Sequence, residues 1–229
     1  ICYVVSRKIY GQTAESLEPL TISPNREVCL TIIVVQELTS LIVMLTFQSL
    51  ILLLIGHTAI MYQMLSHEMM YLNANGYNVD IKEIAKKTLP DIVSRHSLTL
   101  DVVEKLKALY SLPLGVNFGS NAVCMSLFFS LPLGEWFQFL GVIVYCFGIF
   151  FLYCYLGQRL INASEEFERW VYCCGWENFD LKEKRLVYVM LRQAQKPVYL
   201  LAADIIPVNI YTFAKTLQAI FKFVTVLKI

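Results

Sequence analysis

Long apolar stretches alternate with charged ones along this chain of 229 residues. Residues 38–66 contain no Asp, Glu, Lys or Arg, and the same is true of residues 108–134. A third apolar stretch, Trp136–Gln158, is rich in aromatic side chains. Each stretch is long enough for a helix that crosses a bilayer core of about 30 Å. The pattern therefore predicts three transmembrane helices within residues 27–158, preceded by a polar connection at 1–26.

The segment 67–107 separates the first two predicted spans and is strongly charged. The first helix is expected to continue past the membrane, with Gly76 as its latest end. Apolar residues keep helical spacing through residues 81–89, and Pro90 then removes a backbone donor. The pattern predicts a short surface helix that Pro90 interrupts, separate from the second span.

A stripe of polar residues marks the last apolar stretch, within residues 204–229. If the helix begins at Pro207, it is about 21 residues long and can cross a bilayer core. Its polar side chains recur at three- and four-residue steps, which places them on one face: Lys215, Gln218, Lys222 and Thr225. A membrane helix with such a stripe turns it towards water or a partner protein.

The composition agrees with an all-α polytopic membrane protein that has the lipid bilayer as its surroundings. Hydrophobic residues make up 57% and charged residues 16%, against about 25% charged residues in soluble domains. The net charge of +1 gives no reason to expect a nucleic-acid partner. His57, His67 and His96 are scattered, so no metal, cofactor or enzyme activity is predicted. Cys2 and Cys29 could pair only if both lie outside the cell.

The distribution of Lys and Arg predicts the orientation. Six lie in the 67–107 loop and seven in residues 159–196, whereas the turn at 131–135 carries none. Because positive residues stay on the cytoplasmic side, both charged segments are expected inside. The connection at 1–26 and the C-terminus are then both extracellular.

Residues 160–228 resemble the C-terminal signature of insect odorant receptors. The resemblance is carried, in order, by Tyr172, Trp176, Arg185, Arg192, Pro197 and Phe213, followed by a short terminal helix. It implies that this chain contains four transmembrane helices of a seven-helix bundle. It also implies a cytoplasmic helical anchor at 159–203 and a pore-lining helix at 204–229. Trp170, with the first five signature residues, would form the subunit interface.

By this resemblance, the chain would be the odorant-binding subunit of a ligand-gated, non-selective cation channel. The subunit would assemble with a shared odorant co-receptor, as a tetramer, in the plasma membrane of a sensory neuron dendrite. The implied ligand is a small, volatile, apolar molecule, held in the outer half of the bundle by Met44, Phe47, Phe137, Val144 and Tyr145. The implied pore and gate residues are Gln218, Lys222, Thr225, Val226 and Ile229.

Other interpretations of the sequence remain open. For any single aromatic residue of the third span, packing against lipid or a neighbouring helix is the alternative to a pocket wall. For the last helix, a seam in a compact bundle is the alternative to a pore. For the whole chain, the alternatives are a gustatory receptor of the same channel architecture, a metabotropic seven-helix receptor or a transporter. An intracellular C-terminus would favour the metabotropic class. The sequence does not identify the odorant.

Overall fold

The computed structural model describes residues 23–74, 81–130, 136–196 and 198–227, and this part of the chain is almost entirely helical. Its α-helices are α1 (Ser23–Ala74), α2 (Ile81–Ser130), α3 (Trp136–Tyr172), α4 (Leu181–Ala194) and α5 (Ile210–Leu227). A 3-10 helix, Trp176–Asn178, lies between α3 and α4. A small antiparallel hairpin of β1 (Leu201–Ala202) and β2 (Ile206–Pro207) precedes α5. The prediction of an all-α fold is confirmed.

Three helices of the described part are long and apolar enough to cross a membrane: Cys29–Asn73, Glu83–Phe129 and Phe139–Asn178. They overlap the first three predicted spans. The fourth, α5, has 18 residues, which corresponds to about 27 Å of helix. It begins at Ile210 rather than at the predicted Pro207, because Ile206 and Pro207 pair with β1. That α5 crosses the membrane stays a prediction.

The chain divides into two compact units, Ile1–Ser49 and Leu50–Ile229. The described part of the first unit belongs to α1, which begins four residues before the expected start at residue 27. Its apolar side chains are largely exposed, as expected of a surface that faces lipid. The hydroxyls of Thr39 and Thr46 donate to the carbonyls of Val35 and Ile42 one turn earlier, so they are satisfied without water.

The second unit has a continuous apolar core. Its three long helices each bury a stripe of residues at three- and four-residue steps, the pattern of a helix with one face against a core. Tyr62 on α1, His96 on α2 and Phe167 on α3 meet in this core, with ring centroids 4.7–6.3 Å apart. The C-terminal part of α1, the N-terminal part of α2 and the C-terminal part of α3 therefore lie at the same level.

The prediction that Pro90 interrupts a separate surface helix is wrong. α2 runs without a break from Ile81 to Ser130, with both Pro90 and Pro113 inside it. Leu89 and Ile92 are fully buried on either side of Pro90, so core packing holds the helix together here. Pro90 and Lys86 are both exposed. The Lys86 carbonyl, which loses its donor at Pro90, can therefore be reached by solvent.

An ion pair joins α1 and α2 near the same level as the aromatic cluster. Arg95 Nη1 donates to Glu68 Oε1 at 2.6 Å, and Arg95 Nη2 donates to Glu68 Oε2. Asp91 also lies 2.9 Å from the Arg95 guanidinium. Such a two-pronged arrangement fixes the geometry of both side chains. The ion pair thereby fixes α1 against α2 in their charged regions. α1 ends at Ala74, which agrees with the prediction that the first helix ends no later than Gly76.

Candidate pore helix and its attachment to the bundle

α5 packs one face on the bundle and leaves the opposite face exposed. Ile220 and Val224 are buried, and Phe213 packs on Phe150 of α3 with ring centroids 5.2 Å apart. Since successive helical residues are turned by about 100°, Val226 lies on the side opposite Val224. The exposed face contains Val226 and the predicted polar stripe, namely Lys215, Gln218, Lys222 and Thr225. Ile229, the remaining predicted gate residue, lies outside the described residues.

The first turn of α5 is tied to the segment before it. Asn209 accepts a hydrogen bond from the Thr212 backbone N–H at 2.8 Å through its side-chain oxygen, the contact that a helix N-cap makes. The Thr212 hydroxyl donates to the Pro207 carbonyl at 2.6 Å. The Val208 N–H donates to the Leu200 carbonyl at 2.9 Å. These bonds make the start of α5 continuous with the hairpin.

The hairpin turns through two residues in an unusual backbone conformation. Ala203 and Asp204 have φ of 52° and 57°, and the Ile205 N–H donates to the Ala202 carbonyl at 3.2 Å. Two positive φ values in succession are the mark of a type I′ turn, which favours Asn-Gly or other glycine-containing pairs. An alanine in this region costs about 1–2 kcal/mol. Neighbouring contacts must therefore hold the turn in place.

Those contacts come from α2. The Ser111 hydroxyl donates to Asp204 Oδ1 at 2.6 Å and accepts the Asp204 backbone N–H at 2.8 Å. The Ser111 carbonyl accepts the Ala203 N–H at 2.8 Å. One turn further, a Cβ on Gly115 would lie 2.5 Å from the Ala203 Cβ, closer than side chains approach. Ser111, Gly115, Ala203 and Asp204 together are called the hairpin contact below.

A second glycine receives the chain just before α5. A Cβ on Gly157 of α3 would lie 2.2 Å from the Val208 carbonyl oxygen. The segment that leads into α5 thus approaches α2 closely at Gly115 and α3 closely at Gly157. Sequence reasoning did not find these residues. The available signal was a lone glycine within an apolar helix, which indicates a close approach but not its partner.

The residues predicted to bind ligand belong to both compact units. Met44 and Phe47, in the first unit, line a shallow groove on α1 together with Thr39, Ser40 and Val43. In the second unit, Phe137 and Val144 of α3 face outward, with Phe137 85% exposed. Tyr145 turns its hydroxyl inward, where it is buried and has no hydrogen-bond partner among the described residues. Their role in ligand binding stays a prediction.

The residues predicted to form a subunit interface are mostly exposed. Tyr172, Trp176, Arg185 and Arg192 lie at the surface, whereas Trp170 is half-buried against the core. Pro197 lies outside the described residues. α4 attaches to the bundle through the opposite face, where Val187 and Met190 are buried. The exposed side of this segment is therefore available to a partner.

The three histidines singled out in the sequence have different surroundings. His57 and His67 are exposed, whereas His96 is buried in the aromatic cluster. Among the described residues, no three His, Cys, Asp or Glu side chains come together as a metal site would require. Cys29 is an exposed free thiol. Its suggested partner, Cys2, lies outside the described residues.

Three long apolar helices and a shorter helix with an exposed polar face define a multi-pass helical membrane protein. The 7tm Odorant receptor family model matches residues 1–221. The chain therefore belongs to the odorant receptor family and is an insect olfactory receptor sequence. This is a family of receptors and not of enzymes, in agreement with the sequence.

Curated relatives and a solved structure agree with this assignment. The chain is 33% identical over 88 residues to the odorant receptor coreceptor of Harpegnathos saltator, covering 38% of this chain and 18% of that protein. It is 25% identical over 152 residues to odorant receptor 22b of Drosophila melanogaster, covering 62% of this chain and 37% of that protein. The chain thus spans well under half of either relative.

The fold matches the insect olfactory receptor OR5 from Machilis hrabei with a TM-score of 0.67. The match covers 90% of this chain and 54% of that chain at 16% sequence identity, a likeness of fold.

Proposed function

We propose that the chain is part of an odorant-binding subunit of a ligand-gated, non-selective cation channel, and that α5 lines the pore. The observation that carries the proposal is the exposed face of α5. In a membrane, polar side chains such as Lys215, Gln218 and Lys222 require water or a protein partner. A pore formed by one such helix from each subunit supplies that water.

The proposed topology places residues 67–107 and 159–196 in the cytoplasm and the C-terminus outside. The cluster of Tyr62, His96 and Phe167 supports it, because it brings parts of α1, α2 and α3 next to both positively charged segments. Both segments therefore belong to the same end of the bundle. The positive-inside rule then assigns that end to the cytoplasm.

A co-receptor is the proposed partner, in a mixed tetramer. Lys215 and Lys222 lie on the same exposed face of α5, so four copies of this helix would place eight lysines around one axis. Such a ring repels cations. A partner whose helices lack these charges reduces the repulsion, which favours a heteromer over a homomer. The exposed Trp176 and Arg185 are of the types that anchor protein interfaces.

The gating proposal follows from binding equilibria. A small apolar odorant opens the channel only if it binds the open arrangement more tightly than the closed one. The predicted wall residues Met44, Phe47, Phe137, Val144 and Tyr145 supply apolar contact, and the Tyr145 hydroxyl supplies a polar group. Val226 is the proposed apolar constriction, since it is 71% exposed on the same side of α5 as the lysines.

The test uses the full-length subunit that carries this chain, co-expressed with an odorant co-receptor and screened with volatile alcohols, esters and terpenes. A ligand-evoked cation current is expected. Val226→Ser is expected to raise the resting current, because a polar constriction hydrates more easily. Lys222→Glu is expected to increase cation permeability.

Phe221→Ser is the matched control, because Phe221 is 66% exposed but lies on another side of the helix. Equal effects of Val226→Ser and Phe221→Ser would contradict the assignment of the pore face. A C-terminal epitope that antibodies reach only after permeabilisation would contradict the topology and favour a metabotropic receptor.

A further inference from the structure

The segment before α5 is fixed by hydrogen bonds to several parts of the protein. Between Leu200 and Thr212 the described chain makes backbone or side-chain hydrogen bonds within the hairpin, to α2 and to the first turn of α5. Further along α5, polar side chains bond within the helix, as Thr225 does to the Phe221 carbonyl. The start of α5 is therefore fixed more firmly than the remainder.

Two features show that the hairpin contact is specific rather than incidental. Ala203 and Asp204 keep positive φ although neither is glycine, so the turn is maintained by its surroundings. Gly115 and Gly157 leave no room for a side chain against Ala203 and Val208. Backbone therefore meets backbone on both helices, and the chain cannot slide without breaking hydrogen bonds.

We infer that the hairpin contact couples α2 to the pore helix, with Ser111 and Asp204 as positioning residues for channel opening. This inference rests on the proposed channel function. Any displacement of α2 on ligand binding is passed to the base of α5 through Ser111 and the turn at Ala203–Asp204. The outer part of α5, with Lys222 and Val226, then follows the displaced base.

The first arm of the test needs no current. The thiol of Cys154 on α3 is fully buried, and Phe213 of α5 packs on Phe150 and Phe151 of the same helix. The reactivity of this thiol therefore reports whether α5 is packed against α3. Cys174 is also fully buried and is the internal control. Purified full-length subunit is treated with N-ethylmaleimide, and both sites are followed by peptide mass spectrometry.

Asp204→Ala and Ser111→Ala are each expected to speed labelling of Cys154 by about three- to tenfold, the equivalent of one hydrogen bond. Labelling of Cys174 should stay unchanged. Asp204→Asn keeps an acceptor for the Ser111 hydroxyl and tolerates the left-handed turn, so it should resemble the wild type. An unchanged Cys154 rate, or an equal rise at Cys174, would overturn the inference.

The second arm measures ligand-evoked current with the co-receptor at matched surface level. Asp204→Ala and Ser111→Ala should each lower the maximal current by about three- to tenfold. The double variant should be no worse than either single variant, because both break the same contact. Asp204→Asn should restore the current, which a general loss of folding would not allow.

The outcomes separate the inference from the proposed function. If the wild type conducts and the alanine variants conduct equally well, the hairpin contact does not couple α2 to the pore. Additive losses in the double variant would likewise overturn it. If the wild type shows no ligand-evoked current, the proposed channel function is wrong. The labelling of Cys154 still decides whether the hairpin contact keeps α5 packed against α3.

Discussion

Gly157→Ala is expected to destabilise the protein although alanine favours helices. Gly157 lies inside α3, where replacing glycine by alanine gains about 1 kcal/mol of helix propensity. The new Cβ would lie 2.2 Å from the Val208 carbonyl oxygen and 3.1 Å from the Val208 Cγ1. Because the 2.2 Å contact is with backbone, the chain before α5 must retreat by about 1 Å from a close-packed position.

The expected loss of stability combines a steric clash with a strained hydrogen bond. Overpacking by one methyl costs about 1–3 kcal/mol, and a retreat of Val208 also strains its hydrogen bond to the Leu200 carbonyl. After subtraction of the propensity gain, a net loss of up to about 2 kcal/mol of unfolding free energy remains. Gly148→Ala is the matched control in the same helix, because nothing lies within 4 Å of its Cβ position.

The assay is thermal unfolding of the detergent-solubilised full-length subunit, followed by fluorescence-detected size exclusion. Gly148→Ala should raise the melting temperature slightly and Gly157→Ala should lower it, with a difference between the two of about 2–6 °C. Gly115→Ala and Gly119→Ala form a second pair with the same expected signs, since only Gly115 faces the hairpin. If Gly157→Ala is as stabilising as Gly148→Ala, the close approach of α3 to Val208 is wrong.

Three further predictions concern topology, assembly and stability. Cysteines introduced at Lys86 and Lys182 should react with an impermeant maleimide only after permeabilisation, and labelling on intact cells would refute the orientation. Trp176→Ala should reduce co-purification with the co-receptor at equal expression, because it removes an exposed aromatic anchor; a selective loss of odorant sensitivity with normal assembly would contradict that role. Glu68→Gln should lower the unfolding free energy by at most about 1 kcal/mol, since its ion pair to α2 is partly exposed. Asp101→Asn, in a more exposed pair within α2, is the control and should change it less.

Hydrophobic periodicity was enough to find the spans, because burial in lipid and in a core both require long apolar stretches. It also placed Lys215 and Lys222 correctly on one exposed face of α5. It failed at Pro90, where packing of Leu89 and Ile92 outweighs the missing backbone donor. These two residues make their core contacts with parts of the chain that local spacing does not reveal.

The hairpin was beyond sequence reasoning for a different reason. Ala203–Asp204 is not a pair that indicates a type I′ turn, and Ser111 lies 93 residues away from Asp204 along the chain. Only the folded structure shows that Ser111, Gly115 and Gly157 converge on one short segment. The outward-facing Val144 and the inward-facing Tyr145 hydroxyl show the same limit. Neighbouring positions on one helix can face lipid and the core, and the residue types do not show which position faces which.

Gly115 and Gly157 also restrict which residues related receptors can carry in this part of the molecule. Glycine at position 203 would be accommodated and would relieve the turn, because it adopts positive φ without penalty. In contrast, any larger residue at position 115 must displace the turn at Ala203, and any larger residue at position 157 must displace Val208. A relative with a side chain at either position should therefore carry a different turn before its last helix, through insertion, deletion or a change of turn residues. Turn length and helix glycines are expected to change together across such sequences.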